Sequence, residues 1–313
     1  MSAPENLTEM SRRLPQPAPA KIIPRIFGGL GNQLFCYAAA RRLALMNHAE
    51  LVLDDVSGFV RDHEYQRHYQ LDHFNIPCRK ASPAERLEPM SRARRYFKRA
   101  MNRRRPFEAR SYIQQEGMDF DSRLLTVKPH GTLYLEGYWQ SEQYFKDVES
   151  AIREELRIVP PKDAINLTMA EHMSSFQTVA VHVRFFDAPE ELGVNNAKDD
   201  YYARAVARME SLAPEAHYFV FSDQPAAARA RIPLPDDRIT LVSHNQGDKL
   251  AYADLWLMTQ CQNFIIANST FSWWGAWLAA QREKHVIAPG CEMRQGKMSW
   301  GFAGLIPREW IKV

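Results

Sequence analysis

Cysteine is scarce and scattered: the 313 residues hold four, Cys36, Cys78, Cys261 and Cys291, none in a C-x-x-C pair. That excludes a zinc knuckle or a disulfide-stapled scaffold and suits a reducing compartment. No run approaches the roughly 18 apolar residues that a membrane-spanning helix requires. The first twenty residues carry Glu5, Glu9, Arg12, Arg13 and a proline-rich stretch from Pro15 to Pro19, where a secretory signal would have an apolar core, and read as a floppy leader. Charge of one sign is missing too. Forty Lys and Arg stand against 37 Asp and Glu, a formal +3, which makes no electrostatic case for nucleic acid. There is no repeat of fixed period and no G-x-G-x-x-G dinucleotide fingerprint. The sole D-x-D, Asp119-Phe120-Asp121, falls away from the strand ends where a metal would bridge phosphates, which speaks against a metal-dependent transferase.

What is present is a full share of apolar residues, 45% of the chain, enough at this length for the cores of about two domains. Ile22 to Phe27 is a short apolar run that stops at Gly28-Gly29-Leu30-Gly31. From Asn32 the spacing of Leu34, Tyr37, Ala38 and Leu45 is helical. Glu50 to Asp54 reads as the next strand, so a βαβ unit opens the folded chain. Residues 56–130, rich in His, Arg and Tyr, show little periodicity. From Thr178 onward strands at 178–183, 217–221, 239–242, 264–267 and 285–288 alternate with helices at 201–212, 226–231, 250–261 and 272–281, joined by short links. The expectation is an α/β chain with two parallel sheets. A leader over 1–20 precedes a Rossmann-like domain over 21–160 and a second over 161–290, and a segment over 291–313 packs back on the first domain.

In an open parallel sheet, ligands bind beyond the carboxyl ends of the strands, where loops and helix N-termini converge. In the second half those ends carry His182, Arg184 and Asp187, then Ser222 and Asp223, then Asn268, Ser269, Thr270 and Ser272. A fixed cation, hydroxyl donors and a helix start are what a nucleoside diphosphate needs from a protein that brings no metal. Arg184 can fork two hydrogen bonds onto pyrophosphate oxygens and offset charge on a leaving group; the plainer alternative is a strand-end pair with Asp187. Ser269, Thr270 and Ser272 cap a helix, a role compatible with cradling phosphate. Asp223 suits guanine N–H groups or ribose hydroxyls, or else a turn before Gln224-Pro225. His182, within a buried-strand pattern, reads by position as a core histidine. Gly29 and Gly31 let backbone approach a ligand, and Asn32 and Gln33 bring amides to a helix start. Trp273, Trp274 and Trp277 are spaced for core packing, with sugar stacking the lesser reading.

In order along the chain, Gly-Gly-Leu-Gly-Asn-Gln-Leu-Phe at 28–35 with Tyr37-Ala38, Gly137-Tyr138-Trp139-Gln140-Ser141 with Tyr144-Phe145, His182-Val183-Arg184, Phe221-Ser222-Asp223, and Asn268-Ser269-Thr270-Phe271-Ser272-Trp273-Trp274 resemble the motifs of the bacterial α-1,2-fucosyltransferases. The likeness runs from about residue 22 to 290. It implies a GT-B-like fold of two Rossmann-like domains facing a cleft, GDP-fucose as donor substrate, no metal or other cofactor, and inversion. A galactose-terminated glycan is the implied acceptor. Donor-binding roles are implied for Gly29, Gly31, Asn32, His182, Arg184, Ser222, Asp223, Asn268, Ser269, Thr270 and Ser272. Where the family reads His-x-Arg-Arg-x-Asp, this chain has His182-Val183-Arg184-Phe185-Phe186-Asp187: Arg184 and Asp187 keep their places, and Phe185 replaces a guanidinium.

On that resemblance Asn32, Arg184, Asp187 and Glu191 are the catalytic candidates. Arg184 would hold the diphosphate and Asn32 orient the β-phosphate or the acceptor. Asp187, Glu191 or Glu190 would be the base for in-line attack. Competing readings are α-1,6 or protein-O-directed fucosyl transfer, and a non-catalytic glycan- or nucleotide-binding module, for which Phe185 speaks. The basic run Arg92, Arg94, Arg95, Lys98, Arg99, Arg103, Arg104 and Arg105 is by default a solvated face, yet its density suits anionic lipid, where a lipid-linked acceptor would be presented. That would place a cytoplasmic enzyme peripherally on the inner face of the plasma membrane, with no nucleic-acid partner.

Overall fold

The apolar run at 22–27 and the helical spacing after it fold as one unit. β1 (Lys21–Pro24) and β2 (Glu50–Leu53) bury Ile22, Ile23, Val52 and Leu53. α1 (Leu30–Met46), which joins them, is buried around most of its circumference because one side lies on this sheet and another on a helix of the second half. The computed structural model describes residues 19–188, 195–281, 283–292 and 299–313. β3 (Arg79–Lys80), α2 (Ser91–Arg103), β4 (Tyr112–Gln114), β5 (Thr132–Glu136) and α3 (Glu149–Glu155) complete the first half. Its five strands run in the order β3-β2-β1-β5-β4, every pairing parallel. The unpatterned stretch at 56–130 thus contains two strands of two and three residues, too short to show an alternation of period two.

α4 (Ala164–Met173) starts at Asp163, whose carboxylate accepts from the Asn166 amide. A second parallel sheet follows. Its elements are β6 (Thr178–Val183), α5 (Asp199–Leu212), β7 (His217–Ser222), α6 (Pro225–Ala230), β8 (Ile239–Val242), α7 (Ala251–Thr259), β9 (Asn263–Ile265), α8 (Thr270–Leu278), β10 (Val286–Ala288) and β11 (Ile311–Lys312). The order is β11-β10-β9-β6-β7-β8. All six residues of β6 are buried, as a strand covered on both faces must be. The chain winds outward from β6 to β8, then restarts at β9 on β6's other side, so the sheet's switch point lies between β6 and β9. A ligand crevice belongs at their carboxyl ends.

The closing residues serve both halves: β11 extends the second sheet, while the Ala303 amide donates to the Asp119 carboxylate and the Leu305 carbonyl accepts from the Trp273 indole. Trp273 and Trp274 are fully buried, with ring centroids 4.6 and 4.9 Å from Phe35 of α1. Phe145 stacks on Trp274 at 5.5 Å. This aromatic cluster locks α8 against α1, and all three tryptophans are core residues as their spacing predicts. The contact is closest at Gly31, where an added Cβ would stand 2.4 Å from the Thr270 carbonyl carbon and 2.6 Å from the Phe271 nitrogen. Only a residue without a side chain lets the starts of α1 and α8 meet.

Candidate active site

Between the carboxyl edges of the two sheets lies a cleft of about 890 Å³. Two helix starts face it. At one, Gly28 takes a φ of +78°, a left-handed turn that glycine adopts without strain. Gly29 then caps α1, its carbonyl accepting from the Asn32 and Gln33 amides. At the other, Ser269 caps α8 through its hydroxyl, which accepts from the Phe271 amide. The leading amides of a helix have no partner within it and its dipole is positive at that end, so this cleft favours an anion.

Asn32 ties the halves together: its Oδ1 accepts from Gln140 Nε2 at 2.7 Å and from Thr270 Oγ1 at 3.0 Å. Gln33, fully buried, donates to the Gly28 and His68 carbonyls and accepts from the Gln70 amide. It thereby pins the 66–70 loop beside the glycine turn. That loop delivers Arg67, whose guanidinium donates to Asp248 at 2.9 Å and lines the cleft next to Gly29. Sequence reading missed Arg67, which lies in the unpatterned stretch and carries no local signal there.

Arg184, at the end of β6, pairs with Asp223 at the end of β7, Nη1 to Oδ2 2.8 Å, and not with Asp187. Burial lowers its pKa below the usual arginine value, and the like charge of Arg67 pushes the same way against the Asp223 attraction. Two guanidiniums, Arg67 and Arg184, therefore line one cleft, an arrangement that suits a negatively charged ligand. His182 also lines the cleft. Burial, with Arg184's charge, drives its pKa down to about 3, so the ring is neutral, and its buried Nδ1 has no hydrogen-bond partner among the described residues. His182 is thus not the satisfied core histidine its position suggested: its Nδ1 is left without a partner at the cleft wall.

Asp254 is a further lining residue that sequence reading missed. It is the one acid in α7, Ala-Tyr-Ala-Asp-Leu-Trp-Leu-Met-Thr, and that isolation was its signal. Burial raises its carboxyl pKa to about 7, against a hydrogen bond from Asn245 Nδ2 at 2.9 Å that lowers it. Asn245 is held in turn by Asn166 and so by the start of α4.

The structure brings Gly29, Gly31, Asn32, His182, Arg184, Ser222, Asp223, Asn268, Ser269 and Thr270 to this one cleft. Gly31 contributes chiefly by its packing against Thr270. Ser272 is fully buried and donates to the Ser269 carbonyl; it stands behind the lining. Asp187 accepts from the Asn195 amide and side chain, and the Asn195 carbonyl accepts from Asn268 Nδ2, which links Asp187 to the α8 start through one residue. Glu190 and Glu191 lie outside the described residues. Phe185 is buried in the core of the second sheet, with the Arg231 guanidinium 5.7 Å from its ring centre. Of the D-x-D, Asp119 accepts from the distant Ala303 amide and Asp121 from its neighbour Arg123.

Residues 26–296 match the profile of glycosyl transferase family 11. The chain belongs to that family. This family 11 enzyme is 27% identical over 306 residues, 93% of its length and 98% of the relative's, to an alpha-1,2-colitosyltransferase of Escherichia coli. It is 28% identical over 284 residues, 84% of its length and 91% of the relative's, to the O-antigen biosynthesis glycosyltransferase WbnK of Escherichia coli. Among solved structures it is similar to the NodZ alpha-1,6-fucosyltransferase soaked with GDP-fucose, at a TM-score of 0.51, 16% identity, and 83% and 93% coverage of the two chains. The NodZ fucosyltransferase from Bradyrhizobium superposes with a TM-score of 0.52 at 16% identity, covering 82% and 92%. The fold is therefore GT-B-like, as the motifs imply, and the protein is a glycosyltransferase.

Proposed function

We propose that this enzyme transfers L-fucose from GDP-fucose, with inversion and without a metal, to O-2 of a terminal galactose in an oligosaccharide or polysaccharide acceptor. The observation that carries the reading is the convergence of two helix starts and two guanidiniums, Arg67 and Arg184, on one cleft. The GDP-fucose-soaked structure of a similarly folded enzyme supports the donor. The alpha-1,2 relative supports the linkage, and the O-antigen biosynthesis relative supports a polysaccharide acceptor.

In this mechanism the acceptor hydroxyl attacks the anomeric carbon as the bond to the β-phosphate oxygen breaks, and GDP leaves with the electron pair. Arg184, oriented by Asp223, and Arg67, oriented by Asp248, neutralise the growing charge, taking the place of a divalent cation. Arg67 supplies from the first half the second guanidinium that Phe185 cannot. The leading amides of α8 and the Ser269 hydroxyl, with the glycine turn at Gly28 and Gly29 opposite, cradle the diphosphate, while Thr270, whose hydroxyl donates to Asn32, and Gly31, packed on it, hold the two helix starts together. Ser222, Asn268 and the orphaned His182 Nδ1 complete the donor contacts, and Asp254 accepts from guanine N–H groups. Asn32 orients the β-phosphate or the acceptor. The base that takes the hydroxyl proton is Asp187 or Glu191; the amide variant of the true base loses kcat and the low-pH limb of its rate profile.

The test is transfer from GDP-fucose to galactose-terminated glycans in excess EDTA, with the product linkage read by NMR. Absence of transfer to any such acceptor overturns the proposal, and activity that requires a metal overturns its electrostatic core. Similarity to the colitosyltransferase favours a second reading, in which the donor sugar is colitose, fucose without its 3-hydroxyl. Competition between the two donors at equal concentration decides it.

A further inference from the structure

Helix α2 is turned inside out. A surface helix ordinarily buries an apolar stripe and gives its charges to water. In α2 the buried positions are Arg95, 5% exposed, and Asn102, 4% exposed. Arg95 pairs with Asp54 and Arg99 approaches Glu136 at 3.7 Å, while Asn102 accepts from the Ser111 amide and Lys98 lies over the Tyr134 ring. Polar contacts thus hold the helix down. On its outer face Phe97 is 65% and Met101 62% exposed, one turn apart, with Met90 and Tyr96 beside them at 73% and 65%. Arg92, Arg94, Arg103, Arg104 and Arg105 are exposed around this stripe, and no acid occurs between Glu88 and Glu108.

We propose that the outer face of α2 docks on an anionic lipid bilayer, Phe97 and Met101 entering the boundary between headgroups and acyl chains while Arg103 to Arg105 meet the headgroups. An apolar centre ringed by cations matches a surface that is apolar in depth and negative at its rim. It does not match a second copy of itself, since pairing two such faces would bring together ten like charges, five from each. The helix also stands beside the cleft: Glu136, which faces Arg99, accepts from Arg25 at 2.9 Å, and Arg25 lines the cleft. That the bilayer then presents the acceptor to the cleft rests on the function proposed above; the docking itself does not.

Cosedimentation of the full chain with extruded vesicles tests this, using phosphatidylcholine alone and phosphatidylcholine with phosphatidylglycerol. The wild type is expected to bind the mixed vesicles and not the neutral ones, and binding falls as salt rises. Arg103→Gln with Arg104→Gln and Arg105→Gln should weaken partitioning about a hundredfold, at ~1 kcal/mol for each charge. Phe97→Ser with Met101→Ser should abolish it at any salt. Circular dichroism and thermal melting of both variants should match the wild type, because the altered side chains are exposed. Failure of the wild type to bind the mixed vesicles overturns the proposal, as does equal binding by the variants. A concentration-dependent dimer in lipid-free sedimentation that Phe97→Ser abolishes would assign the face to a second copy instead. None of these outcomes depends on donor or acceptor identity, so the proposed function stands or falls separately.

Discussion

Asp254→Asn separates the cost of a half-buried acid from its use. In the folded protein burial raises the Asp254 carboxyl to about 7, whereas in the unfolded chain it titrates near the ordinary ~3.9. The native state therefore holds a proton that the unfolded state has released, and stability must fall as pH rises through the window between about 4 and 7. About three pKa units at 1.36 kcal/mol each give up to about 4 kcal/mol lost by pH 8. The asparagine variant keeps an oxygen for Asn245 but cannot ionise, so ligand-free melts at pH 8 should rise by several degrees, while melts near pH 4 coincide with wild type. Nucleotide binding should move the opposite way. A carboxylate accepts two N–H bonds from guanine and asparagine only one, so GDP affinity should drop about a hundredfold or more in calorimetry. In the wild type it should weaken about tenfold per pH unit below about 7, as the empty site's carboxyl protonates. Coincident stability profiles for the two proteins would refute the burial argument, and unchanged GDP affinity would remove Asp254 from the base-binding role.

Other substitutions probe the remaining contacts. Arg184→Ala should lower kcat/KM about a hundredfold or more, through loss of a preorganised charged donor, with Asp223 left unpaired; near-normal turnover would remove its central role. Arg67→Ala should have a comparable effect on transfer but leave the melting temperature nearly unchanged, because its ion pair with Asp248 is partly exposed. Gly31→Ala should cost several kcal/mol, or force α1 and α8 apart, since its Cβ would lie 2.4 Å from the Thr270 carbonyl carbon; a wild-type melting curve would show that the helix starts can yield. Thr270→Val, which removes the hydroxyl bonded to Asn32 at 3.0 Å, should destabilise by about 1 kcal/mol, read from the same melts.

From Thr178 to Ala288 the second half of the molecule is legible in the order of its amino acids, whereas α4 and the two-residue β11 are not. Its strands are continuous β-branched and aromatic runs, its helices lie between them at short links, and the position of a residue at a strand's carboxyl end follows directly from that alternation. His182, Arg184, Asp223 and the Asn268 to Thr270 turn were legible for this reason, and so was the glycine turn before α1. The order of motifs made the fold and the family legible as well. Which residues meet across the cleft follows only from how the two halves pack. Arg67 comes from a stretch without periodicity, and nothing local says that Gln33 fastens its loop or that Asp248, far along the chain, orients its guanidinium. The choice of Asp223 over Asp187 as the partner of Arg184 depends on the neighbouring strand, as the closeness of Gly31 to Thr270 depends on the tryptophan cluster that seats α8 on α1. The direction in which α2 faces was likewise invisible, because a basic amphipathic pattern does not say which side the protein takes; Asp54 and Glu136, placed at the ends of two other strands, take the charged side and leave the aromatic one outside.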